Sequence, residues 1–313
     1  MSFTVPYRCL YGKTNNLLMA GTFEEQSCSG RLSVDLFGDI SMKMLLKDGK
    51  RKVITLSYDD GVIQDKRLVE TLNKYGLKGT FNINTGRYYQ GDTNPEKGRM
   101  TKASAISLFK NTGHEVAVHG YTHPFLDKIE SSEIIYEIIE DRKNIEKDYG
   151  TIARGMAYPF GRCSEEIVDI LRKCQIVYAR TTKNTYRFDF PENWLMLHPT
   201  CHHKSEKLMD LAKEFVEKKD KYGNARMFYL WGHSFEFDNN DNWDVIEQFA
   251  EYVSGRDDIW YATNIEIYDY VEAYKRLQTG FDKTIVHNPS SLDVWVEIRD
   301  EVHCIGAGQT LVL

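Results

Sequence analysis

The chain has 313 residues, of which 42% are hydrophobic and 27% charged, enough to bury a sizeable core and to exclude an unfolded polypeptide. Lys plus Arg number 40 against 46 Asp plus Glu, a net charge of −6 with no basic run, so neither nucleic acid nor an anionic membrane surface is an expected partner. No stretch approaches the roughly 20 apolar residues of a membrane span, the first 20 residues hold no apolar signal-like core, and six scattered cysteines form no Cys-x-x-Cys pair, so a cytoplasmic setting with reduced thiols is expected.

Residues 1–50 carry alternating apolar positions, as in Leu32–Val34–Leu36, and read as a β-rich extension. From residue 51 to 280 short strand-like runs alternate with amphipathic helices. Lys52–Tyr58 is the first strand, and a helix follows with Asp65 as its expected N-cap, Leu68, Val69, Leu72 and Tyr75 on one face, and Gly76 as its stop. Gly79–Asn84 is the second strand. Thr101 is placed to cap the next helix, which Gly113 ends, and Glu115–His119 is the third strand. A long helix over Ser131–Tyr149 sets Ile135, Ile138, Ile139 and Ile145 opposite a charged, solvated face. Further strands are expected at Gly155–Pro159, Ile176–Arg180, Trp194–Pro199, Met227–Gly232 and Ile259–Ala262, with helices starting near Ser164, Ser205 and Asn242. The last helix opens with a capping box, Thr263 and Glu266. Residues 281–313 return to strand-like alternation, as in Val294–Val296–Ile298, broken by turns at Asn288-Pro289 and Gly306-Ala307-Gly308.

Seven or eight successive β–α units predict an α/β fold with a parallel sheet. No glycine-rich phosphate loop follows the first strand, so a (β/α)7–8 barrel with β-rich N- and C-terminal additions is favoured over an open doubly wound sheet. Catalytic groups of such barrels stand at the C-terminal ends of strands. Ser57-Tyr58-Asp59-Asp60-Gly61 ends the first strand with two adjacent carboxylates, which repel unless a cation or a proton separates them; alone, such a run is also an ordinary turn. The third strand ends in His119-Gly120-Tyr121-Thr122-His123, two histidines four apart that share a face over one helical turn. With a carboxylate from the first strand they offer a two-histidine, one-carboxylate site suited to Zn²⁺ and also to Fe²⁺ or other first-row ions. Tyr158-Pro159-Phe160-Gly161 follows the fourth strand, where Pro159 has no N–H and Phe160 N–H can point into the site. Leu230-Trp231-Gly232-His233 ends a later strand with a histidine whose ordinary pKa of ~6.5 suits a general acid.

In this order, Ser57–Gly61, Gly113–Pro124, Tyr158–Gly161 and Leu230–His233 resemble the polysaccharide deacetylases, the NodB-homology domains of carbohydrate esterase family four, over about residues 50–265. The resemblance implies a distorted (β/α)7 barrel and metal-dependent hydrolysis of N-acetyl or O-acetyl groups on sugars. It implies Asp60, His119 and His123 as metal ligands and Asp59 as the base that activates water. Phe160 N–H would hold the oxyanion, and His233 would be the acid for the leaving group. The implied cofactor is a divalent metal, Zn²⁺ first, with Co²⁺, Ni²⁺ or Fe²⁺ as alternatives. Two positions depart from the family: Gly120 stands where Ser or Thr is usual, and Ala157 where an arginine braces the catalytic aspartate. Arg180, ending the next strand, is the candidate replacement for that arginine, within reach of Asp59 from a neighbouring position.

Tyr88 and Tyr89, in the long Thr85–Met100 loop, and Trp194 are read as substrate-contacting residues. His114, at the opposite end of its strand from His119, is read as structural; His198, His202 and His203 could line a pocket or simply occupy loops. The expected partner is a saccharide. A small cyclic or ureido amide is the alternative substrate, and a carbohydrate-binding relative without turnover the alternative function.

Overall fold

The central strand of the barrel is buried along its whole length. A computed structural model of the protein describes residues 41–313; the Leu32–Val34–Leu36 alternation, Cys9 and Cys28 lie outside these residues. After β1 (Met42–Met44), β2 (Lys52–Asp59) is buried at every position, as expected of a parallel strand covered on both faces. Even Lys52 is buried, because its ammonium reaches Val216 O at 2.6 Å and Asp258 Oδ2 at 2.9 Å. The chain then alternates: α1 (Asp65–Lys74), β3 (Gly79–Ile83), α2 (Lys102–Phe109), β4 (Glu115–Val118), α3 (Ser131–Tyr149), β5 (Gly155–Ala157), α4 (Glu165–Lys173), β6 (Tyr178–Arg180), β7 (Cys201–His202), α5 (Leu208–Glu217), β8 (Arg226–Gly232), α6 (Phe235–Asn239), α7 (Trp243–Val253), β9 (Ile259–Tyr261) and α8 (Asn264–Lys275).

The parallel sheet runs β6-β5-β4-β3-β2-β8-β7. β2 pairs with β8 from Lys52↔Arg226 to Tyr58↔Gly232; on its other side β9 covers Lys52–Ile54 and β3 covers Leu56–Asp59. The strand expected over Trp194–Pro199 is a correction. Asn193 caps a 3-10 turn at Trp194–Met196 by accepting from Leu195 N–H at 3.0 Å, so only the following residues are extended. Leu197 exchanges hydrogen bonds with β6 (Leu197 N–H to Ala179 O, 3.0 Å; Thr181 N–H to Leu197 O, 2.9 Å), and Thr200 N–H donates to Tyr229 O of β8 at 2.9 Å. This short segment therefore spans the gap between the two ends of the curled sheet, giving the distorted α/β barrel its shape.

Four more strands follow β10 (Gln278–Thr279): β11 (Ile285–His287), β12 (Val294–Ile298), β13 (Glu301–Ile305) and β14 (Thr310–Val312). They form two small antiparallel sheets, β10-β11-β14 and β1-β12-β13, the second pairing Met42 with Ile298. Val294, Val296 and Ile298 point inward, as their alternation requires. Tyr270 of α8 fastens this sheet to the barrel, donating its OH to Leu45 O at 2.8 Å and accepting from Trp295 N–H at 3.0 Å. The Thr263–Glu266 capping box and the Thr101 cap form as expected.

The N-cap expectation at Asp65 is corrected. Asp65 is the first residue of α1, and its carboxylate ties loops instead: Val62 N–H donates to Oδ2 at 3.0 Å and Ser234 Oγ–H to Oδ1 at 2.6 Å. Burial, only partly offset by these bonds, pushes its pKa up to about 7. An unfolded aspartate titrates near 3.9, so the folded chain holds this proton more tightly, and the associated stability is lost as pH rises from about 4 through 7. Asp65→Asn should gain in melting temperature relative to the parent over that interval and hold a constant difference above it. A difference independent of pH would place Asp65 in water.

Candidate metal centre and active site

Backbone turns at two strand ends aim three ligand atoms at one point. Asp60 leaves β2 with a left-handed φ of 88°, its N–H donating to Asn82 O at 2.8 Å. His119 follows β4, and a turn through Gly120 (φ 77°) brings His123 (φ 59°) back over it. Gly120 is required there: a Cβ would lie 3.3 Å from Pro159 Cγ and 3.4 Å from Pro124 Cδ in a conformation that L side chains avoid. Asp60 Oδ1 stands 3.6 Å from His123 Nε2 and 3.8 Å from His119 Nε2. Two ligand atoms on one tetrahedral ion at ~2.0–2.1 Å stand roughly 3.3 Å apart, so the set fits a first-row divalent metal with little movement.

The surroundings prepare the imidazoles for that task. His119 Nδ1 is 2.8 Å from Ala157 O, and a carbonyl only accepts, so Nδ1 carries the proton and the Nε2 lone pair faces the site. His119 N–H donates to Asp141 Oδ2 at 3.0 Å, and Asp141 Oδ1 accepts from Thr85 N–H and Oγ–H at 2.7 Å each. Asn84 Nδ2 holds His119 O at 2.6 Å and Gly120 O at 2.7 Å. Burial lowers the pKa of His119, and burial followed by the His119 neighbour lowers that of His123 to about 4. Both rings are therefore neutral at neutral pH, the form a metal binds.

Asp59 lies beside this point and is buried. Its Oδ2 is 3.7 Å from His119 Nε2 and 3.8 Å from His233 Nε2, while Asn82 Nδ2 donates to Oδ1 at 2.8 Å. Arg180, wholly inaccessible, pairs its Nη2 with Asp59 Oδ2 and stacks on Trp231 with its guanidinium carbon 4.3 Å from the ring centroid. Burial alone would raise the Asp59 pKa. Arg180 first, then His119, His233 and the Asn82 amide, together outweigh it and hold Asp59 at about 2. His233 moves the other way: burial lowers its pKa, but Glu236, Asp59 and Asp60 more than compensate and raise it. A carboxylate whose pKa is lowered, beside an imidazole whose pKa is raised, has the makings of an acid–base pair with pKa values pushed apart.

Residues 46–179 match the polysaccharide deacetylase family. Over that segment, under half of the chain, the protein is similar to the polysaccharide deacetylases. It is 29% identical over 124 residues to the peptidoglycan-N-acetylmuramic acid deacetylase PdaC of Bacillus subtilis, covering 38% of this chain and 24% of that protein. It is 23% identical over 126 residues to the uncharacterized B. subtilis protein YlxY, covering 40% of this chain and 36% of the other. The chain thus spans well under half the length of these relatives. A crystal structure from Mycobacterium smegmatis assigned to the polysaccharide deacetylases superposes with a TM-score of 0.53 at 17% identity, covering 74% of this chain and 94% of that one, a likeness of fold.

Asp59, Asp60, His119, His123, Arg180 and His233 converge. Phe160 lies beside them, in a 3-10 turn at Pro159–Gly161 with φ 55°, its ring against His123 at 4.5 Å. Two expected substrate contacts are corrected. Trp194 packs edge-on to Tyr268 in the core at 5.3 Å, and Tyr88 is buried with its OH 3.4 Å from Tyr149 OH; an apolar ring in a loop was drawn inward by the hydrophobic effect in each case. Tyr89 remains exposed. His114 accepts from Gly79 N–H at 3.0 Å, a structural contact, and His198 bonds Thr181 Oγ1 at 2.6 Å.

Several site residues carry no motif signal. Arg99, from the long loop, donates to Asp60 Oδ1 at 2.8 Å and Asn84 Oδ1 at 2.7 Å. Glu236 gathers His202 Nε2 (3.2 Å), His203 Nε2 (3.1 Å), His233 Nδ1 (3.6 Å) and Lys204 Nζ (2.8 Å). His202, His203 and Glu236 have the composition of a second metal site, but Lys204 N–H donates to His202 Nδ1 at 3.0 Å. His202 Nε2 must then carry the ring proton and is not a ligand. None of the three imidazole nitrogens points straight at Glu236 Oε2, so these are close electrostatic contacts rather than linear hydrogen bonds. Burial favours the neutral acid, yet the surrounding imidazoles and ammonium hold Glu236 ionised far below the usual carboxylate range.

Two outcomes follow from these charges. Arg180→Ala removes the cation that keeps Asp59 ionised, so the acid limb of the pH–rate profile should move to higher pH and turnover should fall, with metal content unchanged. Breaking a buried pair also costs about 3–5 kcal/mol of stability, so the limb should be read on the folded fraction. Glu236→Gln removes a charge that raises the His233 pKa, and the alkaline limb should move to lower pH; an unmoved limb would show that Glu236 does not act on His233.

Proposed function

We propose that the protein is a metal-dependent hydrolase that removes an acetyl group from an N-acetylated or O-acetylated saccharide. The observation that carries this reading is the convergence of Asp60, His119 and His123 on one point, with Asp59 and His233 on the same side of it. The name of the PdaC relative supports an N-acetylated amino sugar as the substrate class.

Zn²⁺ suits two neutral imidazoles and a carboxylate, and Co²⁺, Ni²⁺ or Fe²⁺ accept the same donors. Such an ion, when bound, polarises the acetyl carbonyl and lowers the pKa of water toward ~7. The chain's own groups do the rest. Asp59, pinned by Arg180 and Asn82, accepts the hydrogen bond of the attacking water and takes its proton. The Phe160 backbone N–H faces the developing oxyanion. His233, whose proton-bound form Glu236 and Asp59 favour, gives its Nε2 proton to the leaving amine or alkoxide, which prevents its return to the carbonyl.

The assignment of ligands and base is separable by mutation. His119→Ala/His123→Ala should lose most bound metal and the activity together, as read by elemental analysis and acetate release from a panel of acetylated sugars. Asp59→Asn should keep the metal and lose about 10²–10⁴-fold in turnover, the usual contribution of a general base. Metal loss in Asp59→Asn at normal stability would exchange the roles of Asp59 and Asp60. Release of acetate from no sugar, alongside hydrolysis of small amides, would overturn the saccharide reading.

A further inference from the structure

Two large aromatic rings stand in water at the lip of the metal site. Phe160 is 50% exposed and Phe125 44% exposed. Their rings stack with centroids 3.8 Å apart and planes within 9°. The Phe160 ring lies in turn against His123, with centroids 4.5 Å apart and planes at 72°. A metal ligand and the exposed stack thus form one continuous surface.

Each ring follows a proline. Phe125 follows Pro124 after β4, and Phe160 follows Pro159 after β5; the two prolines close on Gly120 from either side. Asp127 and Arg162, two residues beyond each phenylalanine, approach to 3.6 Å. Stacking hides one face of each ring and leaves an apolar face turned to solvent beside charged groups. Exposed apolar surface at the rim of a polar pocket marks a binding surface rather than a core.

We infer that the Phe125–Phe160 stack is a platform for the apolar face of the sugar ring that carries, or neighbours, the acetyl group. The inference rests on the saccharide reading above. A pyranose presents a face of C–H groups with its hydroxyls around the edge, so a flat aromatic face removes the former from water and leaves the latter hydrated. The stack adjoins His123, so a sugar seated on it extends from the edge of the metal site. Phe125 is the specificity-determining residue: it touches the sugar and none of the reacting atoms. A small acetyl ester without a sugar would reach the metal site without meeting it.

The test compares Phe125→Ala with the parent and with Phe125→Trp, on a β-linked N-acetylglucosamine tetramer and on 4-nitrophenyl acetate. Phe125 lies at the surface, so its truncation leaves the core intact. Phe125→Ala should raise KM for the tetramer about 3- to 10-fold, the size of one aromatic stacking contact. Its kcat, its metal content and its KM for 4-nitrophenyl acetate should stay at the parent values, and Phe125→Trp should restore tetramer KM. Calorimetric binding of the tetramer to metal-free protein should weaken by the same factor. Unchanged tetramer KM, or an equal change for both substrates, would overturn the platform while leaving the deacetylase reading in place. A parent that deacetylates no saccharide and binds none would end both.

Discussion

The charge on Asp59 is the constraint around which the site is arranged. A carboxylate buried at the end of the central strand would take up a proton unless a cation met it. Arg180 meets it from β6, four strands away in sheet order, and only the curl of the sheet makes that possible. The guanidinium is itself buried, so it needs the Trp231 face and the Thr181 carbonyl as further partners. Strand, sheet curvature and charge therefore depend on one another: flatten the sheet and Asp59 becomes an unpaired buried acid.

A second charged centre balances the first. Glu236 stands on α6, three residues beyond His233, and collects imidazoles and an ammonium from the end of β7 and the loop after it. His233 lies between the two carboxylates, with Nε2 toward Asp59 and Nδ1 toward Glu236. Each ring nitrogen thus has a negative neighbour, and the protonated form is the one both favour. The ligand side is built differently. There the imidazoles are kept neutral by burial, and backbone groups set their tautomer and angle. Left-handed turns at Asp60, His123 and Phe160 concentrate conformational strain at the reacting end of the barrel.

Much of this was legible in the linear chain because it is local. Strand ends, the caps at Thr101 and Thr263, the Asp59-Asp60 pair and the His119/His123 spacing are set by residues within a few positions of one another, where periodicity and capping chemistry act. The α/β alternation likewise follows from short-range hydrophobic patterns, and the family resemblance rests on the same local motifs. Arg180 was within reach for a related reason: the loss of an arginine at Ala157 leaves a charge to be met, and the next strand end holds a candidate.

Tertiary structure alone decided the rest, because those contacts join residues far apart in the chain. Asp141, Asn84 and Arg99 are unremarkable in their own segments and become site residues only when α3 and the long loop fold over the strand ends. Trp194 and Tyr88 are loop residues by pattern, but hydrophobic burial is non-directional and drew both inward. Asp65 has the right residue type for a cap, yet Ser234, 169 positions away, claims its carboxylate. A sequence states which groups are available. Which of them meet is decided by closure of the sheet, since a buried charge or donor takes whatever partner the fold brings within hydrogen-bond distance.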